Sequence, residues 1–160
     1  MKISAQDEYG LRILLRLAEN GNEEGLSIAQ LSEVEGLSAS YAAKLTRILR
    51  MAGLIQSTRG QKGGYILSKP ADEISVKEVL YALDGTLYDP SFCDAHSGSV
   101  KFCTNSVDCS VRSLWKIVQI SVDRVLEQVT LADLLSTEID STNALQQILE
   151  ETTAYLYKTT

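Results

Sequence analysis

No stretch of these 160 residues is apolar for long enough to cross a membrane as a helix, and the first residues lack the apolar segment and cleavage site of a secretory signal. A cytoplasmic location is the expectation. Histidine is represented by His96 alone, and no nucleophile stands beside a base at a spacing that covalent catalysis would need. The chain is therefore not expected to be an enzyme. Cysteine is scarce and odd in number, three residues in all, which in the cytosol argues against a disulfide framework and towards free thiols or metal ligands. Acidic residues are missing from one segment: between Gly36 and Ala71 stand Lys44, Arg47, Arg50, Arg59, Lys62 and Lys69, six cations with no anion among them. The overall net charge of −6 conceals this. Residues 1–69 carry nine basic and seven acidic side chains, net +2, whereas residues 70–160 carry six and fourteen, net −8. Nucleic acid belongs with the first half and is repelled by the second.

What is present in the first half is a helix, a turn, a second helix and a basic hairpin, from Leu26 to Leu67. Ser27 and Gln30 form a capping box ahead of Ile28, Leu31 and Val34, and Gly36 supplies the left-handed stop. Ser38 is the expected N-cap of the next helix, with Tyr41, Leu45, Ile48 and Leu49 towards the core and Ala39, Ser40, Ala43, Lys44 and Arg47 outside. Small polar residues at the start of a helix and cations further along suit insertion into a major groove. Beyond Gly53, the segment from Leu54 to Thr58 reads as a strand, Arg59 to Gly63 as a glycine-rich tip and Gly64 to Leu67 as the return. The tip lacks the Lys-Ser/Thr ending and following helix of a nucleotide-binding P-loop, so it reads as a wing. The fold class expected is mainly α with a small β-hairpin wing, a winged helix-turn-helix DNA-binding domain carrying a long dimerisation helix.

The flanking chain fits this plan. Ser4 and Asp7 cap a first helix from Ile3 to Glu19 with Leu11, Leu14, Leu15 and Ala18 as its stripe. After Pro70, Ser75 and Glu78 begin another helix that ends at Gly85. From Ser110, Val111, Trp115, Val118, Val122, Val125 and Val129 recur at alternating intervals of four and three, a heptad-like seam. That seam either packs on its own domain or meets a second copy, and a two-fold dimer would match near-palindromic double-stranded DNA. Thr130 and Asp133 cap a short helix, and Ser141 to Tyr157 suit a last one through Leu145, Ile148, Leu149 and Leu156. The domain plan is then residues 1–85 for DNA, 86–109 for a loop, and 110–160 for dimerisation and C-terminal helices.

The loop collects one proline, the only histidine, both phenylalanines and Cys93, Cys103 and Cys109, with no sustained period. It reads as a loop built around a site. Three thiolates with nine and five residues between them admit an iron-sulfur cluster, of two or four irons, whose fourth ligand comes from elsewhere, such as His96 or Glu8. They equally admit a Cys3His zinc site with His96, or three free thiols.

The opening MKISAQDEYGLRILLRLA, the segment LSASYAAKLTRILRMAGLIQSTRGQKGGYIL, the helix SVKEVLYALDG and the start CSVRSLW closely resemble the Rrf2 family of bacterial transcription regulators, with its IscR, NsrR, RirA and CymR types, over about residues 1–135. The resemblance implies a homodimeric winged-helix regulator whose three-cysteine loop binds an iron-sulfur cluster beside the DNA head. By position it matches Ser38, Ser40, Ala43 and Lys44 to the base-reading part of the recognition helix and Arg59 to a wing arginine in a narrow A-T-rich minor groove, and Tyr41 and Arg47 on the same helix and Lys62 on the tip complete the candidate DNA contacts. IscR-type members that read DNA with a Glu-Gln pair carry those residues where this chain has Ala43 and Lys44. The first two cysteines are further apart than is usual in the family, and Arg112 stands where IscR types have a histidine. Glu8 stands where NsrR types have an aspartate donated by the other subunit, which implies a site of Cys93, Cys103, Cys109 and Glu8, with His96 or Asp7 as reserves. A glutamate at Glu8 also suits the N-terminal dipole of its own helix.

Replacement of Arg59 tests the wing. Arg59→Ala is expected to weaken binding to a duplex selected from a random pool by about 1–3 kcal/mol and to relax its preference for A-T-rich flanks. Unchanged affinity and preference in a fluorescence-anisotropy titration would reject the assignment.

Overall fold

The computed structural model describes residues 3–21, 25–58, 63–86, 88–89, 91–96, 103 and 107–158. These form α1 (Ala5–Asn20), α2 (Ile28–Glu35), α3 (Ala39–Met51), the antiparallel hairpin β1 (Ile55–Ser57) and β2 (Tyr65–Leu67), α4 (Val76–Ala82), a single turn α5 (Phe92–Ala95), α6 (Ser110–Gln128) and α7 (Glu138–Lys158). Mainly helical structure with one short hairpin is the expected architecture.

Local chemistry explains the boundaries. Ser4 and Ser27 each accept the N3 backbone N–H while Asp7 and Gln30 accept back from the cap, so both capping boxes are formed. Ser38 and Ser75 cap α3 and α4 through Tyr41 and Glu78 backbone N–H groups. Gly36 ends α2 at φ 64°, left-handed as expected. At the end of α4 the left-handed residue is Asp84, at φ 62°, and not Gly85. Aspartate is among the few side chains that tolerate this region. Gly85 is small for another reason: a Cβ there would lie 2.7 Å from Asp7 Oδ1.

The core gathers Ile13, Leu14 and Leu17 of α1, Leu31 of α2, Leu45 and Leu49 of α3, Leu54, Ile55 and Leu67 of the hairpin, and Ile74, Val79, Leu83 and Leu131. Burying each such side chain contributes about 1.5–3 kcal/mol. Two expected stripes are rotated. On α1 the buried face runs through Gly10, Ile13, Leu14 and Leu17, with Leu11, Leu15 and Ala18 at its margin. Gly10 begins that face because Leu83 packs directly over its Cα, where a Cβ would come within 2.8 Å of Leu83 Cδ2. On α2, Val34 is 52% exposed and Glu35 is buried instead, because Arg12 and Arg16 of α1 reach it.

The chain also returns to the head after α6. Val76 N–H donates to Val129 O at 2.8 Å and Leu131 N–H to Ile74 O at 3.0 Å, so Val129 and Leu131 are buried beside α4. Val129, the last member of the heptad-like seam, thus belongs to a packed strand-like bridge rather than to the helix. The expected Thr130 cap is not formed: the Thr130 N–H and hydroxyl both donate to Asp133 Oδ2 at 2.8 Å, while the element that follows is a short 3-10 turn, Ala132–Leu134, with Leu131 at its N-cap position and no side-chain cap.

The Gly10 contact is a measurable constraint. Gly10→Val is expected to lower stability by about 1–3 kcal/mol through overpacking against Leu83, read by urea unfolding. A rise in the midpoint, as helix propensity alone would give, would contradict the packing described.

Candidate nucleic-acid interface and cysteine segment

The N-terminal end of α3 faces outward. Ser38, Ala39, Ser40, Lys44 and Arg47 are exposed, while Tyr41 and Ala43 are half-buried. Leu45 and Leu49 on the opposite side lock the helix to the core. Ser38 Oγ and Ser40 Oγ are 3.2 Å apart, and the Tyr41 ring meets that of Tyr9 edge-on at 6.2 Å between centroids. Lys44 Nζ lies 6.0 Å from the Tyr41 centroid, and Arg12 lies 5.3 Å from that of Tyr9. Two rings in edge contact, each with a cation beside it, thus link α1 to the outer face of α3.

Behind them, Glu35 anchors two arginines. Arg16 Nε donates to Glu35 Oε1 at 2.7 Å, and Arg12 Nε approaches Oε2 to 2.6 Å as an ion pair off the hydrogen-bond axis. The bond to Glu35, followed by that to Glu19, pushes the Arg16 guanidinium above its ordinary range. A buried carboxylate so paired fixes α1 against the end of α2 and carries no net negative charge towards DNA.

The base of the wing is closed by Thr58, whose backbone N–H donates to Gly64 O at 2.8 Å while its Oγ1 accepts from Gly64 N–H at 2.9 Å. An open groove of about 430 Å³ separates the hairpin from the start of α2, lined by Ser27, Ile28 and Ala29 on one side and Ser57, Thr58, Gly63, Gly64 and Tyr65 on the other. Its hydroxyls and backbone groups are of the type that contacts a phosphodiester backbone. Arg59 and Lys62, expected on the wing tip, lie outside the described residues.

Cys93, Cys103 and Cys109 are free and half-buried. Cys109 is the N-cap of α6, its Sγ accepting from Arg112 N–H at 3.4 Å. Cys93 sits on α5 with its Sγ 3.8 Å from the Tyr88 hydroxyl. Burial, then the Cys93 bond, pushes the Tyr88 phenol above its ordinary range, with Cys109 adding to the rise and Arg112 opposing it. Cys93 and Cys109 therefore both lie within electrostatic reach of one hydroxyl. Tyr88 N–H donates to Gln119 Oε1 at 2.8 Å, which ties this corner to α6.

The other ligand candidates are placed apart. His96 is exposed, stacks on Phe92 at 4.1 Å, and has Nδ1 3.0 Å from Phe92 O. Glu8 is exposed on the first turn of α1, while Asp7 is buried, with Oδ2 holding the cap and Oδ1 facing Gly85. Among the described residues no three of histidine, cysteine, aspartate and glutamate converge on a common point within one chain. The donor chemistry, three half-buried thiols, nevertheless suits an iron-sulfur cluster, and Glu8 is accessible to a second copy. Gln119 and Asp123 stand at the four-residue interval of a helical side-chain pair, but no spacing in the sequence links Tyr88 to them. Glu35 has a faint signal, an acid on a short helix opposite Arg12 and Arg16 at an interval of four.

A helix pair with an exposed polar N-terminus, seated behind a hairpin, is a winged helix-turn-helix, the architecture of a DNA-binding protein. The match of residues 3–137 to the family model described as "Rrf2: Iron-dependent Transcriptional regulator" shows that the chain belongs to the Rrf2 family of transcription regulators, which are not enzymes. It is similar to the protein rrf2 of Nitratidesulfovibrio vulgaris, 38% identical over 135 residues that cover 84% of this chain and 87% of that protein. Among solved structures it is similar to IscR of T. potens, with a TM-score of 0.63 and 35% identity over 84% of this chain and 86% of that one. It is also similar to the oxidized form of CymR of Staphylococcus aureus, with a TM-score of 0.63 and 34% identity over 86% and 98% of the two chains. The family match ends before α7. No helix among the described residues is long and apolar enough to cross a membrane.

Proposed function

We propose that this regulator is a homodimer whose binding to a near-palindromic operator is switched by an iron-sulfur cluster. The observation that carries the reading is the placement of Cys109 at the N-cap of α6, with Cys93 held 3.8 Å from the Tyr88 hydroxyl. Cys93, Cys103 and Cys109 would hold the cluster, with Glu8 of a second copy as fourth ligand and His96 or Asp7 as reserves. When bound, such a cluster supplies reactivity towards oxygen, nitric oxide or electron donors. Any constraint on the Cys109 sulfur bears on the first turn of α6, and two conformations that space the recognition helices differently suffice for a switch.

DNA would be read by Ser38, Ser40, Tyr41, Ala43, Lys44 and Arg47 in the major groove, with Arg59 and Lys62 on the wing. The division into a DNA-binding head at 1–85, a cysteine segment at 86–109 and a dimerisation region at 110–160 accords with this reading. Support for the dimer comes from α6, where Val111, Leu114, Trp115, Ile117 and Ile120 are exposed and no residue of the helix is buried within the chain. A face this apolar calls for a partner helix, and a second α6 offers a matching one.

A second reading keeps the regulator and removes the cluster, leaving thiol oxidation, zinc or a partner protein as the control. It is favoured by the free, half-buried state of all three cysteines and by likeness to an oxidized CymR. An absorption spectrum of protein purified without oxygen, with iron, sulfide and zinc counted, separates the readings. Visible charge-transfer bands with iron and labile sulfide are expected, and Glu8→Ala is expected to bleach faster in air. A protein that stays colourless after anaerobic reconstitution would move the assignment to the thiol reading, and an unaltered Glu8→Ala lifetime would remove Glu8 from the ligands. In sedimentation velocity, Trp115→Asp is expected to shift the dimer to monomer. A dimer that persists would place the interface elsewhere.

A further inference from the structure

Tyr88 stands at the end of a run of hydrogen bonds that joins α4 to α6, its backbone N–H bonded to Gln119 and its side-chain hydroxyl meeting Cys93. The Tyr81 hydroxyl of α4 donates to Asp123 Oδ2 at 2.7 Å, and this bond holds the Tyr81 phenol above its ordinary range. Gln119 Nε2 donates to Asp123 Oδ1 at 2.7 Å. The same Gln119 accepts from Tyr88 N–H through Oε1 at 2.8 Å, and Tyr88 then meets Cys93 Sγ through its hydroxyl. Both carboxylate oxygens and both ends of the amide are used. Rotation of either side chain would break two bonds, so the arrangement of one end restricts the other.

We propose that Tyr88 is the positioning residue that couples the Cys93 sulfur to the DNA-binding head, through Gln119 and Asp123 of α6 to Tyr81 of α4. This rests on the reading of the cysteine segment as the sensing site. The Tyr88 hydroxyl and Cys93 Sγ share a bond in which either group can donate, so the occupation or modification of Cys93 changes the partner that holds the Tyr88 side chain in place. Displacement of Tyr88 pulls on Gln119 at mid-helix. Asp123 then passes the change to α4, whose Val76 and Val79 are buried in the head together with Leu83 at its C-cap. The route runs through three directed hydrogen bonds, which distinguishes it from general packing between α4 and α6. Lys77 and Glu127, paired at 3.2 Å across the same two helices, form a surface contact outside this chain of bonds.

The test compares DNA affinity of the full-length protein in two states, loaded anaerobically with iron and sulfide or stripped of metal, using a duplex selected from a random pool. Coupling between such states is commonly about 5- to 150-fold. Tyr88→Phe, Gln119→Ala and Asp123→Asn are each expected to bring that ratio most of the way to one. Metal-free affinity, circular dichroism and, for the two α6 variants, iron content are expected to stay at wild-type values. The double variant Tyr88→Phe/Asp123→Asn is expected to lose no more than either single one, because both interrupt one chain. Where wild-type protein takes up no iron, the ratio is read between free thiols and thiols blocked with iodoacetamide. Variants that keep the wild-type ratio overturn the relay and leave the sensor reading intact. A wild-type ratio of one in both comparisons overturns the two together.

Discussion

The packing of α1 against the rest of the head is the constraint on which the structure depends. Ile13, Leu14 and Leu17 present one fully buried face to α2, α3 and the hairpin, and Gly10 lets Leu83 at the end of α4 close over the same helix. A recognition helix reads DNA only if its base-facing side chains are held still, and α3 is held by what lies behind it. Leu45 and Leu49 take that role from within α3, and Tyr9 of α1 braces Tyr41 from the side. The cations displayed by the head are organised by the same helix, since Arg12 and Arg16 are pinned to the buried Glu35.

Charge and burial are thereby kept from working against each other. An acid close to a DNA-facing surface would oppose phosphate binding if it stood free. Glu35 is neutralised by two arginines, and the segment after Gly36 carries cations alone until Asp72. The excess of acidic residues lies beyond the hairpin, in the segments that flank α4 and precede α6 and on α7, whereas α4 carries one charge of each sign and α6 three cations and two anions. A field divided in this way orients the protein on a polyanion before any base is contacted.

The second half of the molecule is joined to the head twice. One joint is the return of Val129 and Leu131 to the backbone beside α4, which anchors the far end of α6 in the core. The other is the set of side-chain bonds from Tyr81 through Asp123 and Gln119 to Tyr88, nearer the cysteine end. With its C-terminal end fixed, α6 would act as a lever about that joint in the proposed switch. Cys109 stands at the free end as the N-cap.

Local rules are legible without coordinates. The capping serines at Ser4, Ser27, Ser38 and Ser75, the stop at Gly36 and the hairpin beyond Gly53 all depend on residues within a few positions of one another, and each is found where its chemistry requires. The winged-helix class and the basic character of the reading face were readable from that pattern and from charge order. Other features depend on what a residue meets across the fold. Gly10 carries no hydrophobic signal, so the true face of α1 is visible only once Leu83 is placed over it. Val129 continues a heptad in sequence yet is drawn into the core by bonds to residues more than fifty positions earlier. Gln119 and Asp123 stand one helical turn apart, but nothing in the sequence joins them to Tyr88 or Tyr81, and those bonds exist because α6 passes the cysteine segment on one side and α4 on the other. The class of protein and the order of its elements were thus written in the chain, because caps, periods and charge act locally. Which faces are buried, and which polar groups connect the thiols to the head, came only with the folded arrangement, because both arise from contacts between distant segments.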